Sequence, residues 1–331
     1  MKLIETPAKK LGSPEILSYI YVINKGYHYM NLGYACINTG LSANRIMTNR
    51  TMRRKTFEAK GLDYVSELAL ANVKDLETIV KWNNEHRIKL FRLSSQIFPW
   101  SDDYKLSDLK DNNEICDRMF HIGNIATQAG QRLTMHPGPY NCLASPNQKV
   151  VEKTIRELNC HSEQFNMMGF EPSPYNKINI HVGGAYGDKE STLERFNKNF
   201  ELLRDDTKKR LVIENDDSPN EYSVYDLYWG IYKEIGIPIT FDYFHHKFNT
   251  GNLTEEEALK MAARTWPEGV TQCCHYSESR RKEKLDESIR PQAHSDIIYD
   301  KIDTYGLEPD IVIEAKLKEQ AIFNYGKQII K

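Results

Sequence analysis

No apolar run in this sequence of 331 residues reaches the roughly 18 needed to span a bilayer, so a membrane-crossing helix is not expected. No continuous apolar stretch follows Lys2, Lys9 and Lys10 either, which argues against a secretory leader. Cysteine is scarce and scattered: the six, at positions 36, 116, 142, 160, 273 and 274, include no CxxC pair. That excludes a zinc-ribbon spacing and a dense disulfide framework. Reduced thiols in an intracellular compartment, cytoplasmic or nuclear, are the expectation. A strong charge of one sign is missing too. The formal net charge of −2 rules out a globally basic coat for nucleic acid, although acidic ligands would offset a local basic groove in the same total. Low-complexity tracts and short repeats of identical residues are absent as well. With 40% hydrophobic and 27% charged residues the chain has ordinary globular usage, and its length falls between one large domain and two ordinary ones.

What does recur is a strand-like apolar run followed by a helical stretch. The runs fall at 31–38, 89–93, 132–136, 177–182, 211–214, 238–242, 271–276 and 310–314. Helical periodicity is clearest at 62–84, 151–168, 193–205, 255–264 and 315–325. Strands alternating with helices imply parallel βαβ units, and eight in succession imply closure. The expected fold is a TIM (β/α)8 barrel over 31–331, preceded by a short extension, 1–30, with a short helix around 14–24 packed on the barrel. In such a barrel the side chains at the strands' C-terminal ends converge on one face, where active sites are built.

The residues at those ends are not a random sample. His136, His181, Glu214, Asp242, His275 and Glu314 end or cross strands three to eight, with His245 just beyond strand six. His294 and Asp296 follow between strands seven and eight. A lone histidine beside an apolar run is ordinarily a hydrogen-bonded core residue, and Glu214 or Asp242 alone could cap the next helix. Imidazoles and carboxylates gathered together are costly to bury unless metal ions neutralise the acids and take up the ring nitrogens. Such ligands without thiolates suit zinc, manganese or iron. Their number exceeds the needs of one ion, so two or three divalent ions are implied, with Glu214 central in chain order as a bridging carboxylate. Closely spaced ions serve phosphoryl transfer, because one activates water while others stabilise the developing charge and the departing oxygen.

The motifs around these residues carry a resemblance. Leu32-Gly33-Tyr34-Ala35-Cys36-Ile37-Asn38 resembles the LGYxCxN opening of UV-damage endonucleases, and Phe91-Arg92-Leu93-Ser94-Ser95 with Phe98-Pro99 resembles their YRxSS…P strand. His136-Pro137-Gly138 is similar to their HPG element. Ile180-His181-Val182-Gly183-Gly184 with Tyr186-Gly187-Asp188-Lys189 is similar to IHVGGxYGDK. Glu214-Asn215-Asp216-Asp217 resembles ENDD, Asp242-Tyr243-Phe244-His245-His246 resembles DxxHH, and Glu314-Ala315-Lys316 resembles EAK. The resemblance implies a barrel like that of endonuclease IV. It also implies hydrolysis of the phosphodiester 5′ of a UV photoproduct in double-stranded DNA, leaving a 3′-hydroxyl, with abasic sites an open second substrate. The implied ligands are His136, His181, Glu214, Asp242, His245, His275, His294 and Glu314, holding up to three ions, manganese ahead of zinc or magnesium. Glu214 and Glu314 are the carboxylates assigned to catalysis, and Tyr34, Asn38 and Tyr140 are assigned to the DNA and its lesion.

Three positions depart from the family pattern. Pro139 replaces a glutamine after HPG, Cys273 replaces a lysine two positions before the strand-seven histidine, and Asp103 stands where a histidine is usual. Asp103 retains the ability to bind a metal or a water, whereas Pro139 cannot replace an amide. Basic runs at Arg45, Arg50, Arg53, Arg54 and Lys55, and at Arg280, Arg281, Lys282 and Lys284, follow strands one and seven, where they would contact phosphates; Lys316 and Lys189 are further candidates. Two other readings stand beside this one. A sugar isomerase or epimerase would use a similar metal-bearing barrel but has no use for arginine-rich loops, and a noncatalytic damaged-DNA-binding protein would keep the barrel without turnover. A monomer is expected, because one barrel face can hold a duplex unaided.

Overall fold

The computed structural model describes residues 30–329, so the expected extension lies outside the described residues except for Met30. Eight short strands form one parallel sheet: β1 (Leu32–Ala35), β2 (Leu90–Leu93), β3 (Arg132–Met135), β4 (Ile178–Ile180), β5 (Leu211–Glu214), β6 (Ile239–Thr240), β7 (Cys273–Tyr276) and β8 (Asp310–Ile313). Their order is β6-β5-β4-β3-β2-β1-β8-β7. The remaining seam, between β6 and β7, is closed by a single parallel bridge from Asp242 to His275, with the His275 amide donating to the Phe241 carbonyl at 2.9 Å. All eight expected strands are present, each trimmed to the residues whose backbone groups pair.

A principal helix follows each strand: α1 (Arg54–Glu85), α2 (Asn112–Ala129), α3 (Gln148–Met167), α4 (Lys189–Phe200), α5 (224–235), α6 (Glu255–Ala263), α7 (Arg280–Lys284) and α8 (Glu319–Ile329). The chain therefore alternates as a (β/α)8 barrel requires. Within α1 the backbone breaks at Gly61, whose φ of 64° no helix uses, and the clear periodicity begins just after it. The sequence signal passed over α2. Its buried stripe is Ile115, Met119, Ile122, Gly123 and Ala126, so two of five inward positions carry almost no hydrophobic weight. Gly123 is small because a Cβ there would meet the Met168 carbonyl oxygen at 1.9 Å. The helix expected over 193–205 instead starts at Lys189, capped by Asp188, and ends at Phe200; Asp205–Lys208 is a separate turn.

Period-two alternation divides each strand between two environments. One face packs on the helices and builds the main apolar core, which includes Tyr34, Phe91, Leu133, Ile178, Ile213 and Ile311. The other lines the barrel interior. There a small apolar plug, made of Ala35, Leu90, Val212, Cys273 and Val312, sits among polar side chains that are also buried: Arg132, Lys177, Asn179, Glu214, Thr240, Asp242 and His275. Apolar burial elsewhere must offset the cost of so many interior polar groups.

Candidate metal centre

Glu214 ends β5 and points inward, 1% exposed, with four histidines around its carboxylate. His136 Nε2 lies 3.2 Å from Glu214 Oε2, His181 Nε2 lies 3.7 Å away and His275 Nδ1 3.1 Å away. His245 Nδ1 is 3.5 Å from Glu214 Oε1. Two triads of potential ligand atoms share this residue. One is His136, His181 and Glu214; the other is Glu214, Asp242 and His275. Glu314 stands beside them, its Oε1 3.4 Å from His275 Nδ1, and it pairs with the partly buried Arg92.

The outer contacts orient the rings. His136 Nδ1 bonds the Pro137 carbonyl at 3.0 Å, His181 Nδ1 meets Asp216 Oδ1 at 2.7 Å, and His245 Nδ1 bonds the Asn215 carbonyl at 2.8 Å. His294 Nδ1 bonds the Glu314 carbonyl at 3.1 Å. An oxygen acceptor on Nδ1 fixes the proton there and leaves the Nε2 lone pair for a metal. Asp242 Oδ1 caps the one-turn helix Tyr243–His246 by accepting from the Phe244 and His245 amides. Asp242 therefore performs both roles that its sequence position suggested.

The donor set fits divalent cations. Asp242 Oδ2 and His275 Nδ1 are buried without a hydrogen-bond partner, although both belong to the same triad. A buried polar atom without a partner is rare and needs an explanation, and a cation supplies one. The electrostatics agree. Burial opposes the charge on His181, but Glu214 and Asp216 outweigh it and push this histidine up to about 10. Asp242 and Glu214 likewise overcome burial at His245 and take it to about 9. Burial pushes the Asp242 carboxyl up to about 7 and His275 down to about 3. Against burial, His275 and His181 hold Glu214 well below the usual carboxylate range, and Arg92 and His275 do so for Glu314. Protons on His181 and His245 thus supply positive charge beside Glu214, where bound cations would otherwise supply it.

A cavity of about 380 Å³ opens over the cluster, lined by His136, His181, His245, His294, Asp216 and Arg290 among others. The loop 138–141 also lines a second cavity of about 430 Å³, and Tyr140 stands there 88% exposed. Above β4 the chain turns at Gly183, φ 93°, where a Cβ would lie 2.6 Å from Cys142 Sγ.

Several expected placements are corrected. Tyr34 is fully buried, because alternation along β1 turns it toward α1; its hydroxyl donates to Asn83 at 2.7 Å and its ring packs on Phe91. Asn38 is fully buried too. It donates to the Tyr34 hydroxyl at 3.0 Å and caps the turn Thr39–Ser42, so neither residue offers a surface to DNA. Asp103 pairs with Arg54, and Asp296 pairs with Lys284 at 2.8 Å, both outside the cluster. Lys316 is exposed, with its amide bonded to the Ser295 carbonyl at 2.9 Å. Much of the expected basic surface is internally paired: Arg50 with Asp75, Arg280 with Asp296, Arg281 with Glu287 and Lys282 with Asp300. Sequence reasoning passed over Arg92, Lys177, Asn179, Asp216 and Arg290. The spacing of Lys177, Asn179 and His181 by two was a usable signal, since it puts all three on one face of a strand.

The fold and the cluster define a (β/α)8 barrel with a histidine and carboxylate centre at the strands' C-terminal face. The chain belongs to the family described as UV-endonuclease UvdE, which matches residues 30–330. It is 37% identical over 303 residues to the UV-damage endonuclease of Schizosaccharomyces pombe, a match covering 88% of this chain and 49% of that one. The UV DNA damage endonuclease of Clostridium perfringens is 31% identical, with 88% of this chain and 68% of that protein covered. The chain spans about half the length of its Schizosaccharomyces pombe and Neurospora crassa relatives (49% and 50%). Among solved structures it resembles SacUVDE, with a TM-score of 0.78 and 30% identity over 91% of this chain and 98% of that one. Endonuclease IV from Thermus thermophilus shares the fold, with a TM-score of 0.52 and 13% identity over 90% of this chain and 99% of that one. Among the described residues no helix is long and apolar enough to cross a membrane.

Proposed function

We propose that this chain is a metal-dependent endonuclease that nicks double-stranded DNA carrying UV photoproducts. It hydrolyses the phosphodiester 5′ of the lesion and leaves a 3′-hydroxyl, with abasic sites as a second substrate. The observation that carries this reading is the pair of ligand triads sharing Glu214 beneath an open cavity. Family membership gives the substrate class. His136 and His181 with Glu214 would hold one divalent ion, and Asp242 and His275 with Glu214 a second. His245, His294 and Glu314 complete a set for up to three, manganese ahead of zinc or magnesium. Such ions supply an activated water and stabilise charge on the phosphate and the leaving oxygen.

The chain's own groups do the rest. The acceptors on the histidine Nδ1 atoms hold the rings in register. Arg92 fixes Glu314, and Glu214 and Glu314 keep negative charge where cations must sit. Arg290, exposed at the cavity rim, is the basic group best placed for a backbone phosphate. Tyr140 offers a ring to bases displaced by a lesion, and stacking of that kind contributes about 1–3 kcal/mol. The enzyme acts as a monomer in an intracellular compartment.

The test is nicking of irradiated supercoiled DNA with added manganese, run beside a gel-shift assay. Chelator-sensitive nicking of irradiated but not intact plasmid is expected. Binding without nicking would identify a noncatalytic damage-binding protein, and neither activity would return the sugar-isomerase reading.

A further inference from the structure

Four histidines around the centre present their remote ring nitrogen to an oxygen. His275 does not. Its Nε2 meets the amine of Lys177 at 3.1 Å, and that amine also reaches Asn179 Oδ1 at 3.0 Å and Thr240 Oγ1 at 2.8 Å. Lys177 is completely buried, a position that disfavours its charged form, and its amine donates to Asn179 and Thr240 and accepts from His275 Nε2–H with its lone pair. Asn179 in turn donates to Glu214 Oε2. One amine therefore ties β4, β6 and β7 together directly beneath the centre and reaches β5 through a single amide. It lies within electrostatic reach of Cys273, the position at which strand seven lacks the lysine usual in the family.

We infer that Lys177 is a positioning residue of the metal centre: it sets the plane of the His275 ring and, through Asn179, the rotamer of Glu214. With Nε2–H donating to the amine, the ring keeps its proton on Nε2 and turns the Nδ1 lone pair to Glu214 and Glu314, the orientation that serves the second triad. Thr240 and Asn179 are the anchors that keep the long lysine chain from choosing another rotamer. The inference rests on the reading of this cluster as a binder of divalent ions, and the test separates the two.

The experiment measures manganese bound per chain, its affinity by titration, and the paramagnetic resonance of the loaded protein. It compares the unaltered chain with Lys177→Met, Lys177→Met/Cys273→Lys and Thr240→Val, with thermal unfolding followed in parallel. An unaltered chain that binds no divalent ion overturns the metal-centre reading itself. If it binds, Lys177→Met is expected to lose about 10–100-fold in affinity for one ion, the usual effect of removing an outer partner of a ligand. The resonance of neighbouring ions should change accordingly, with Cys273→Lys restoring part of both. Unchanged affinity and resonance in folded Lys177→Met would overturn the inference, as would a loss that Cys273→Lys leaves unrepaired, which would assign the effect to general packing. Should Lys177→Met fail to fold, Thr240→Val decides: a several-fold affinity loss at near-unchanged unfolding temperature supports the role, and unchanged affinity refutes it.

Discussion

The barrel interior holds two buried polar assemblies that differ in how completely they are satisfied. Near the strands' N-terminal ends, Arg132 pairs with Asp310 at 2.9 Å and also donates to the carbonyls of Tyr175, Thr271 and Pro174. Asn31 donates to the other oxygen of Asp310 at 2.8 Å. At the C-terminal ends, Asp242 Oδ2, His275 Nδ1 and Arg92 Nε have no hydrogen-bond partner. Both assemblies are charged and largely buried, so burial alone does not separate structure from site. Partnership does: a closed set of contacts stabilises the fold, and an open one awaits a ligand.

Removing the shared carboxylate should break this comparison most sharply. Glu214→Gln is expected to lower metal content and to reduce nicking by about 100-fold or more, because neighbouring cations then repel one another. Full activity with full metal content would remove Glu214 from the bridging role. Arg132→Met should do the reverse. It leaves Asp310 as an uncompensated buried charge at a cost of about 3–5 kcal/mol, with metal stoichiometry retained in the folded fraction. Chemical denaturation and metal analysis on one sample would check both halves.

A smaller effect is expected at the rim. Tyr140→Ala should keep its metal and lose about 5- to 150-fold in discrimination between damaged and intact duplex, read by competition binding. The centre should also depend on pH. His181 and His245 are raised from about 6.5 in the unfolded chain to about 10 and 9. In the metal-free protein their stabilising charge is complete below about 6.5 and is lost as pH rises through about 9 to 10. Metal needs the neutral rings, so affinity should rise with pH across that window, by up to about tenfold per pH unit for each proton displaced. The gap in unfolding temperature between loaded and metal-free protein should widen from about pH 6.5 toward 9, and a constant gap would mean that neither ring is a ligand.

Much of this molecule was legible before its structure. The eight strands announce themselves as apolar runs, six of them ending in or carrying a histidine or a carboxylate, and His136, His181, Glu214, Asp242, His245 and His275 do converge. The errors share one cause, since a motif gives a residue's address without its facing. Tyr34 belongs to a motif at the top of a strand, yet one step of the pleat turns it away from the centre and into the core. Tyr34→Phe should accordingly cost about 1–3 kcal/mol through the stranded Asn83 and Asn38 and leave lesion discrimination untouched. Lys177 was passed over for the opposite reason: lysine is ordinarily a surface residue, and only its spacing from Asn179 and His181 betrays it.

The seam between β6 and β7 gives the centre a mechanical aspect. Six joins of the barrel pair at two or more positions and β3–β4 pairs at Met135 and Ile178 alone, whereas the β6–β7 seam is an isolated bridge whose two residues, Asp242 and His275, are also metal-ligand candidates. A cation held by both would act as a clasp across one of the two thinnest joins of the cylinder. The His275 amide, donating to Phe241 across that join, is then a natural reporter. Its exchange with deuterated solvent should be fast when chelator strips the protein and slow when metal returns, while amides in the β1–β2 ladder keep one rate throughout.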